Sequence, residues 1–597
     1  MQKGKGKMKG YGLDTETPLG RIKVLATNEE VVEVESFDSI LQFLTKKKHR
    51  AAIFWTFNLR FDVEHILKAS NDRAFLSDLY YNGVGRPGIE YKDYRFQYIP
   101  NKLFKICKNG HCATFYDIAQ FYNHVGLDKA AKKYLGIGKL PEVDRERLGE
   151  EVGYYEKHKA ETLAYCKRDA ELTFKLAKIL ERLFSDNNIS FRNPISQAKI
   201  SEIYVTDNYK YPTVPKALEE MHSWSRKAYH GGLFWTLRRG YFHEPVYSFD
   251  INSAYPYVMA GLPHWGNGEF KWVDAPGEGE YGWYAAEFNC PWIPMEEYKE
   301  GYNIDICFKD VEMNIMVNPK RIIYPTGKRR QVITKAEYDW LKKHNFPCKF
   351  ITGLEWIQKT NKYVSPFVWM PGVYQKRVEL KKHDDTDMLQ FALKILLNGL
   401  YGKTAQAKNG RGKLTNFFYA SYITAKTRLM VAEVALKHLS DVIEIATDSV
   451  TLTKDISAEL PINKDLGAWG LDEYKEAIFI GSGMRQEWYK NPSAEGPVFV
   501  TYARGLTDKR NYDMLNDLTR NRELDKLWFT RKRPIHLGEM LVHHRVLKYE
   551  NLGVFMSVRK RLDVNTDSKS IWPRNYANFG DFLDSRPMRG KPLKCKN

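Results

Sequence analysis

Cysteine is scarce in this 597-residue sequence: there are seven, an odd number at irregular spacings. That excludes the disulfide framework of a small secreted domain and predicts a reducing compartment without disulfides. Only Cys107 and Cys112 stand close together, with His111 between them, and no second ligand pair follows at a zinc-site distance. No zinc is assigned, and the cluster reads as a surface loop. The chain lacks any apolar stretch approaching the roughly 18 residues of a spanning helix, and residues 1–10 are lysine and glycine without the apolar core of a signal. These absences predict a soluble cytoplasmic protein, expected to be a monomer, with no membrane partner. Acidic residues are outnumbered, 73 against 92 lysines and arginines, for a formal charge of +19, which suits a polyanionic partner. There is no internal repeat and no low-complexity block.

What is present is enough apolar material, 43% of residues, to bury several cores, so more than one domain is expected. Residues 11 to about 185 alternate short apolar strands with longer helical patterns, the signature of an α/β domain. After a link containing Pro194, a strand over 246–251 opens a second region. Proline, glycine and tryptophan crowd residues 261–365, which predicts an irregular, β-rich insertion. Helical periodicity returns over 373–400, followed by another helix, a hairpin near Ala446 and a basic end.

Two groups of acidic residues carry the chemistry. In the run Tyr11-Gly-Leu-Asp-Thr-Glu-Thr the strand period of two puts Asp14 and Glu16 on one face, where they can hold a divalent cation. Asn58 and Asp62 are four apart, on one side of a helical turn, and Tyr165 and Asp169 repeat that spacing. Cutting a phosphodiester with two metals needs three or four carboxylates and a group that orients water. Asp14, Glu16, Asp62 and Asp169 supply the first, and Tyr165 the second.

The second group begins with Phe249-Asp-Ile-Asn-Ser-Ala-Tyr-Pro256, where Asp250 ends an apolar strand and Tyr255 follows to stand over a sugar. Far along the chain, Asp448 sits on a tight turn between two short strands. Two such carboxylates bridging two cations are what phosphoryl transfer from a triphosphate to a hydroxyl requires. Lys394, Asn398 and Tyr401 stand at i, i+4 and i+7, one helical face able to meet an incoming nucleotide. Arg377, Lys381 and Lys382, on the expected partner helix, are further candidates for the triphosphate.

In order and context, the first group resembles the three exonuclease motifs of family B DNA polymerases, and the second resembles their motifs A, B and C. The resemblance implies a multidomain α/β and α+β protein: an RNase H-like 3′–5′ exonuclease domain plus a right-hand polymerase of palm, fingers and thumb. It implies Mg2+ or Mn2+, two ions per active site, with primer-template DNA and deoxynucleoside triphosphates as partners. By the same resemblance Thr15, Asn58 and Phe61 hold a single-stranded primer end, and Ser253, Thr424 and Arg428 contact DNA. Tyr229-His-Gly-Gly232 and Lys139 resemble markers of the protein-primed branch found in small linear-genome phages and plasmids. In that branch Lys139 lies beside the scissile phosphate, Tyr229, Gly231 and Gly232 hold template, and an insertion between motifs A and B contacts a priming terminal protein. The implied layout is exonuclease 1–188, first palm part 189–260, insertion 261–365, fingers 366–400, second palm part 401–510, and thumb with basic end 511–597.

The sequence departs from the family in three places. Motif C carries Ala446 where an aspartate is usual, with Glu444 as the nearest substitute on the same strand face. The chain between Gly402 and Thr447 is too short for the second insertion of many phage members, so strong strand displacement is not expected. No Lys-x-Tyr run follows motif C, and Arg485 is the candidate to replace its lysine on a phosphate. In the last hundred residues Lys509, Arg510, Arg531, Lys532, Arg533, Arg559, Lys560 and Arg561 suit a thumb that grips duplex through phosphates. Two alternatives stay open: a family B polymerase using nucleic-acid primers or none, and a DNA-binding exonuclease whose polymerase site has decayed.

Overall fold

The structure is a computed structural model that describes residues 9–594 apart from 84–87, 142, 294–297, 300–321, 384–387, 407–411, 492–498, 504–526, 563, 566 and 568. The chain divides into two compact units, one of Met1–Tyr204 with Arg531–Val558, the other of Val205–Thr530 with Arg559–Asn597.

The first unit is built on an eight-stranded sheet ordered β3-β2-β1-β4-β8-β7-β6-β5. Its strands are β1 (Gly10–Glu16), β2 (Val24–Thr27), β3 (Val31–Glu33), β4 (Ile53–Thr56), β5 (Ile89–Tyr91), β6 (Tyr94–Ile99), β7 (Leu103–Lys108) and β8 (His111–Asp117). The central β1-β4 and β4-β8 pairs are parallel, which requires crossovers, and the helix Leu59–Lys68 belongs to one of them. The long helix Lys159–Asp186 lies directly on β1. A side chain at Gly12 would come within 1.9 Å of the Ala170 carbonyl oxygen, so glycine permits the close approach that brings this helix to the carboxylate strand.

Two expectations are corrected in this unit. Cys107 and Cys112 face each other across the β7-β8 hairpin and are joined by a disulfide, whereas spacing alone had argued for free thiols; hairpin register, not sequence distance, brought them together. Residues 531–558, expected in a thumb, belong to the first unit. Ile535, Leu537, Met540, Leu541 and Leu552 enter the same apolar core as Phe75, Leu76 and Leu79, and that burial outweighs the basic composition of the segment. The contact is also polar. Buried Glu64 accepts from the Leu537 backbone N–H at 3.2 Å, and Lys68 donates to the Glu550 and Leu552 carbonyls at 3.0 and 2.8 Å. Within this unit Arg533 is paired through both terminal nitrogens to Glu539, each at 2.6 Å, instead of standing open to a phosphate. Lys509 and Arg510, and the side chains of Arg531, Lys532, Arg559, Lys560 and Arg561, lie outside the described residues.

The second unit carries a sheet ordered β22-β21-β20-β11-β19-β18-β9. Its strands are β9 (Phe234–Thr236), β10 (Arg238–Phe242), β11 (Val246–Ile251), β18 (Val442–Ala446), β19 (Ser449–Leu452), β20 (Trp469–Gly481), β21 (Met484–Tyr489) and β22 (Phe499–Ala503), with β10 paired to β20. The insertion is more regular than its composition predicts. β12 (Gly268–Val273), β13 (Tyr281–Cys290), β16 (Gly327–Thr334) and β17 (Cys348–Gln358) form a four-stranded antiparallel sheet, beside a two-residue pair of β14 (Tyr298–Lys299) and β15 (Ile322–Ile323). Trp265, Trp283 and Trp356, which read as loop-like crowding in the sequence, are buried in its core. The helices Met370–His383 and Met388–Gly399 follow, and the buried helix Phe417–Lys437 packs against the sheet through Val431, Ala432 and Ala435.

Candidate active sites

In the first unit, β1 alternates as its sequence predicts: Leu13 and Thr15 are buried, while Asp14 and Glu16 share the other face. The helix Leu59–Lys68 brings Asp62 to them, and the Thr15 hydroxyl donates to the Asp62 carboxylate at 2.8 Å. Thr15 is therefore committed to a carboxylate rather than open to a primer end. Asp169 arrives from the long helix. Burial raises the Asp14 carboxyl well above its usual range, and the neighbouring Asp169, Asp62 and Glu16 add to it. Burial does the same to Asp62, with Asp117, Glu16 and Asp169 adding and the Thr15 hydrogen bond opposing. Asp62 and Asp169 are buried and Asp14 and Glu16 half-buried, and their like charges act on one another; Lys139 offsets part of that cost and a divalent cation could offset more.

Lys139 reaches the same place. Its ammonium donates to the Asp169 carboxylate and, at 3.0 Å, to the Tyr165 hydroxyl. Burial opposes the lysine's charge, but Asp169 and Tyr165 hold its pKa above the ordinary value. Sequence spacing alone could not have set this triad, because its members come from a loop and a distant helix.

One residue was missed. Asp117 ends β8 with its carboxylate buried, accepting from the backbone N–H groups of Asn58 and Leu59 at 3.2 Å each and of Ala119 at 2.8 Å. It thereby holds Asn58 at φ 84° and orients the first turn of the helix that bears Phe61 and Asp62. Phe61 packs on His65 with ring centroids 4.4 Å apart. The signal was available: Asp117, like Asp250, is the acidic residue that closes an apolar strand.

The second unit holds a cavity of about 810 Å3 that gathers Asp250, Ser253, Tyr255, Arg377, Lys381, Lys382, Lys394, Asn398, Tyr401 and Asp448. Antiparallel pairing decides the meeting of the two aspartates: Asp250 of β11 lies opposite Ser449 of β19, and the Ile251 N–H donates to the Asp448 carbonyl at 2.9 Å. Asp448 follows Thr447, at φ 65°, on the turn between β18 and β19. Asp250 opens onto the cleft, yet the surrounding protein and the charges of Asp448 and Asp472 push its carboxyl up to about 7. Burial raises Asp448 as well. Tyr255 and Tyr401 stack with centroids 4.2 Å apart, and the Tyr229 hydroxyl bonds that of Tyr401 at 3.0 Å. Burial, then the Asp448 charge, pushes the Tyr255 phenol up to about 12. Tyr374 and Lys464 also line the cavity, the tyrosine donating to the Lys464 carbonyl at 3.0 Å. Lys464 sits in a loop, where no periodicity could have announced it.

Three basic or polar expectations are corrected here. Thr424 is fully buried and turns its hydroxyl back to the Ala420 carbonyl of its own helix at 3.2 Å. Arg428, 4% exposed, is spent inside the protein on the His230 and Gly231 carbonyls and on Glu337. Arg485 is buried between Glu444 and Glu487 with its guanidinium 4.0 Å from the Tyr502 ring centroid. For the same reason Glu444 does not replace the aspartate missing at Ala446: it accepts from Arg485 and, at 2.7 Å, from the Thr236 hydroxyl. Each substitute had the right charge, but a buried charge must be paired: Arg485 takes Glu487 of its own strand and Glu444 of another.

Among the described residues no three His, Cys, Asp or Glu side chains converge into a metal cage. The donor chemistry nevertheless fits divalent cations. Both clefts set hard carboxylate oxygens beside one another, with burial raising the cost of their charge.

Comparison with known proteins agrees. The model of the family "DNA polymerase type B, organellar and viral" matches residues 142–448, just over half of the chain. The DNA polymerase of Acidianus bottle-shaped virus is 24% identical over 404 residues, 64% of this chain and 58% of that one. The DNA polymerase of Bacillus phage Nf is 24% identical over 371 residues, 55% and 59% of the two chains. The chain thus spans just under three fifths of the length of the curated relatives it matches. Among solved structures, Phi29 DNA polymerase complexed with primer-template DNA and incoming nucleotide substrates superposes with a TM-score of 0.66 at 16% identity, over 94% of this chain and 100% of that one. The orthorhombic crystal form of Phi29 DNA polymerase gives 0.66 at 17% identity. The fold is therefore that of Phi29 DNA polymerase, a multidomain mixed α/β architecture as expected. The family match begins in the first unit and runs through to Asp448, taking in both strand ends of the second cleft, and the chain belongs to the type B DNA polymerases of organelles and viruses.

Proposed function

We propose that this chain is a template-directed DNA polymerase with a 3′–5′ proofreading exonuclease, replicating a linear phage or plasmid genome from a protein primer. The observation that carries the polymerase reading is the opposition, across one cavity, of Asp250 and Asp448 to the cationic side chains of Arg377, Lys381, Lys382 and Lys394. Anionic phosphates fit between the two sets. Two divalent ions, held by Asp250 and Asp448, would activate a primer hydroxyl and stabilise the departing pyrophosphate. The basic helix face neutralises the triphosphate, Tyr255 stands at the sugar, and the stacked Tyr401 supplies a flat surface for the nascent base pair.

In the other cleft, Asp14, Glu16, Asp62 and Asp169 are the ligands for a second pair of ions, Tyr165 orients the attacking water, and Lys139 stabilises charge on the scissile phosphate. Asn58 and Phe61, on the turn that Asp117 holds, are the contacts for a single-stranded end.

Protein priming is supported by Tyr229-His-Gly-Gly232 and by the position of the insertion at 261–365, whose described residues include a four-stranded sheet. Incubating the enzyme with a candidate terminal protein, labelled deoxynucleotide and magnesium should transfer label to that protein. Label appearing on DNA primers alone would remove the priming assignment and leave the polymerase reading intact.

The raised carboxyl of Asp250 sets the pH response. Below about 7 the group holds a proton that competes with the cation; above it the carboxylate is free to bind. Extension at limiting magnesium is therefore expected to rise with pH through this range, and excess magnesium should move the rise to lower pH. A profile indifferent to metal concentration would contradict this assignment. Ala446 favours a second reading, a nuclease with a decayed polymerase site, which an absence of any nucleotide incorporation by the wild type would support.

A further inference from the structure

The turn Tyr229-His-Gly-Gly232 meets Tyr401, Tyr255 and Thr447 at the proposed nucleotide cleft and lies in neither a strand nor a helix. Tyr229 bonds Tyr401. A side chain at Gly232 would lie 2.6 Å from the Thr447 methyl and 3.1 Å from the Tyr255 hydroxyl, so glycine allows the turn to approach Tyr255 and the residue that precedes Asp448. Thr447 in turn donates its N–H to the Leu233 carbonyl at 2.6 Å. Outside a strand or helix, with the Tyr229 N–H on the Arg226 carbonyl at 3.1 Å, the carbonyls of the segment rely on side-chain donors.

Arg428 supplies them. One terminal nitrogen donates to the His230 and Gly231 carbonyls at 2.9 and 2.8 Å, and the other to a Glu337 carboxylate oxygen at 2.7 Å. The second oxygen of Glu337 accepts from the Thr334 N–H and hydroxyl, both at 2.9 Å, closing the capping box of the helix Lys335–Lys343. Arg428 is 4% and Glu337 1% exposed. A buried pair of this kind contributes little net stability against its desolvation cost, but it fixes geometry. A planar guanidinium holds the two adjacent carbonyls and the carboxylate in a fixed fork that a single ammonium nitrogen would not reproduce. The pair joins the insertion to the turn, and the turn to Tyr401.

We infer that Arg428 and Glu337 are positioning residues of the nucleotide cleft: from the insertion they lock the 229–232 turn and thereby set Tyr401 and Tyr255. The inference rests on the polymerase reading above, and it replaces a DNA contact by an internal one.

The test compares wild type with Arg428→Lys, Glu337→Gln and Tyr229→Phe in single-nucleotide incorporation on a primed template. The two latch variants are expected to raise the KM for the incoming deoxynucleotide by roughly tenfold to a hundredfold, the scale of a misplacement of about 1 Å, with kcat less affected. The salt dependence of primer-template binding should stay at the wild-type value, because no phosphate contact is removed. Tyr229→Phe should give part of the same change, and combining it with Glu337→Gln should add less than the sum of the two. Hydrogen exchange at the amides of 230–233 should quicken in Glu337→Gln, a readout that needs no activity. Loss of primer-template affinity with a reduced salt slope would make Arg428 a phosphate contact and overturn the inference. So would an unchanged nucleotide KM with unchanged exchange. If the wild type incorporates nothing, the polymerase reading falls first, and exchange still decides whether the latch exists.

Discussion

Asp250→Asn is expected to lower primer extension by at least about a thousandfold, roughly 4 kcal/mol of barrier, while digestion of single-stranded ends continues at the wild-type rate. The change keeps the shape and removes the charge. Asp250 shares its cleft with one other strand-end carboxylate, Asp448, because Ala446 occupies the position of a third. With so few acidic groups, losing one leaves the cations held by a single carboxylate. Glu444 offers no rescue, since Arg485 and Thr236 occupy it. The variant should not be less stable. A carboxyl raised to about 7 favours its protonated form, so its stabilising contribution is complete below the unfolded value near 4 and is lost as pH rises through 7. Because Asp250 is exposed to the cleft, solvent screens this contribution, and at pH 8 the melting temperature should stay at or slightly above the wild-type value. Extension surviving in the asparagine variant would mean that the cleft is not the site of synthesis.

Asp14→Ala combined with Glu16→Ala should abolish digestion of single-stranded 3′ ends, again by at least about a thousandfold, and leave extension by the second unit intact. The two carboxylates lie on one face of β1 and are mutually destabilising, burial having raised Asp14 well above its usual range. Removing both relieves repulsion on Asp62 and frees no buried cation, because Lys139 keeps Asp169 and Tyr165 as partners. The protein should therefore fold, and net misincorporation during extension should increase as proofreading disappears. Persisting digestion in the double variant would place the nuclease elsewhere. Together the two variants separate the activities, and the exonuclease-with-decayed-polymerase reading predicts a different pattern, digestion without extension even in the wild type.

Much of both sites was legible because it depends on local periodicity. Asp14 and Glu16 share a face because a strand repeats every two residues, and Lys394 and Asn398 share one because a helix turns every 3.6; Tyr401, expected on that same face, instead opens the next short helix, Tyr401–Thr404, and still lines the cavity. Asp250 was visible as the charged end of an apolar run. The residues that misled were cations and hydroxyls assigned to DNA by their type. Arg428, Arg485 and Thr15 each have the right chemistry for a phosphate or a primer end, and each is taken by a partner 47 residues away in the case of Thr15, 41 for the Arg485 pairing with Glu444 and 91 for Arg428 with Glu337. Those three partners lie outside any local window, although Glu487, two residues from Arg485 on the same strand face, was within reach of a period-two reading.

By itself the sequence determined which carboxylates lie on a common face or at a strand end, since that follows from backbone geometry over a few residues. Tertiary structure alone decided which of those faces meet, which cations remain directed at a cleft, that Cys107 bonds Cys112, and that residues 531–558 complete the core of the first unit. Those outcomes turn on burial and on pairing between distant segments. A charge shut away from water takes whatever partner the fold sets beside it, and the fold, not the neighbouring residues, selects that partner.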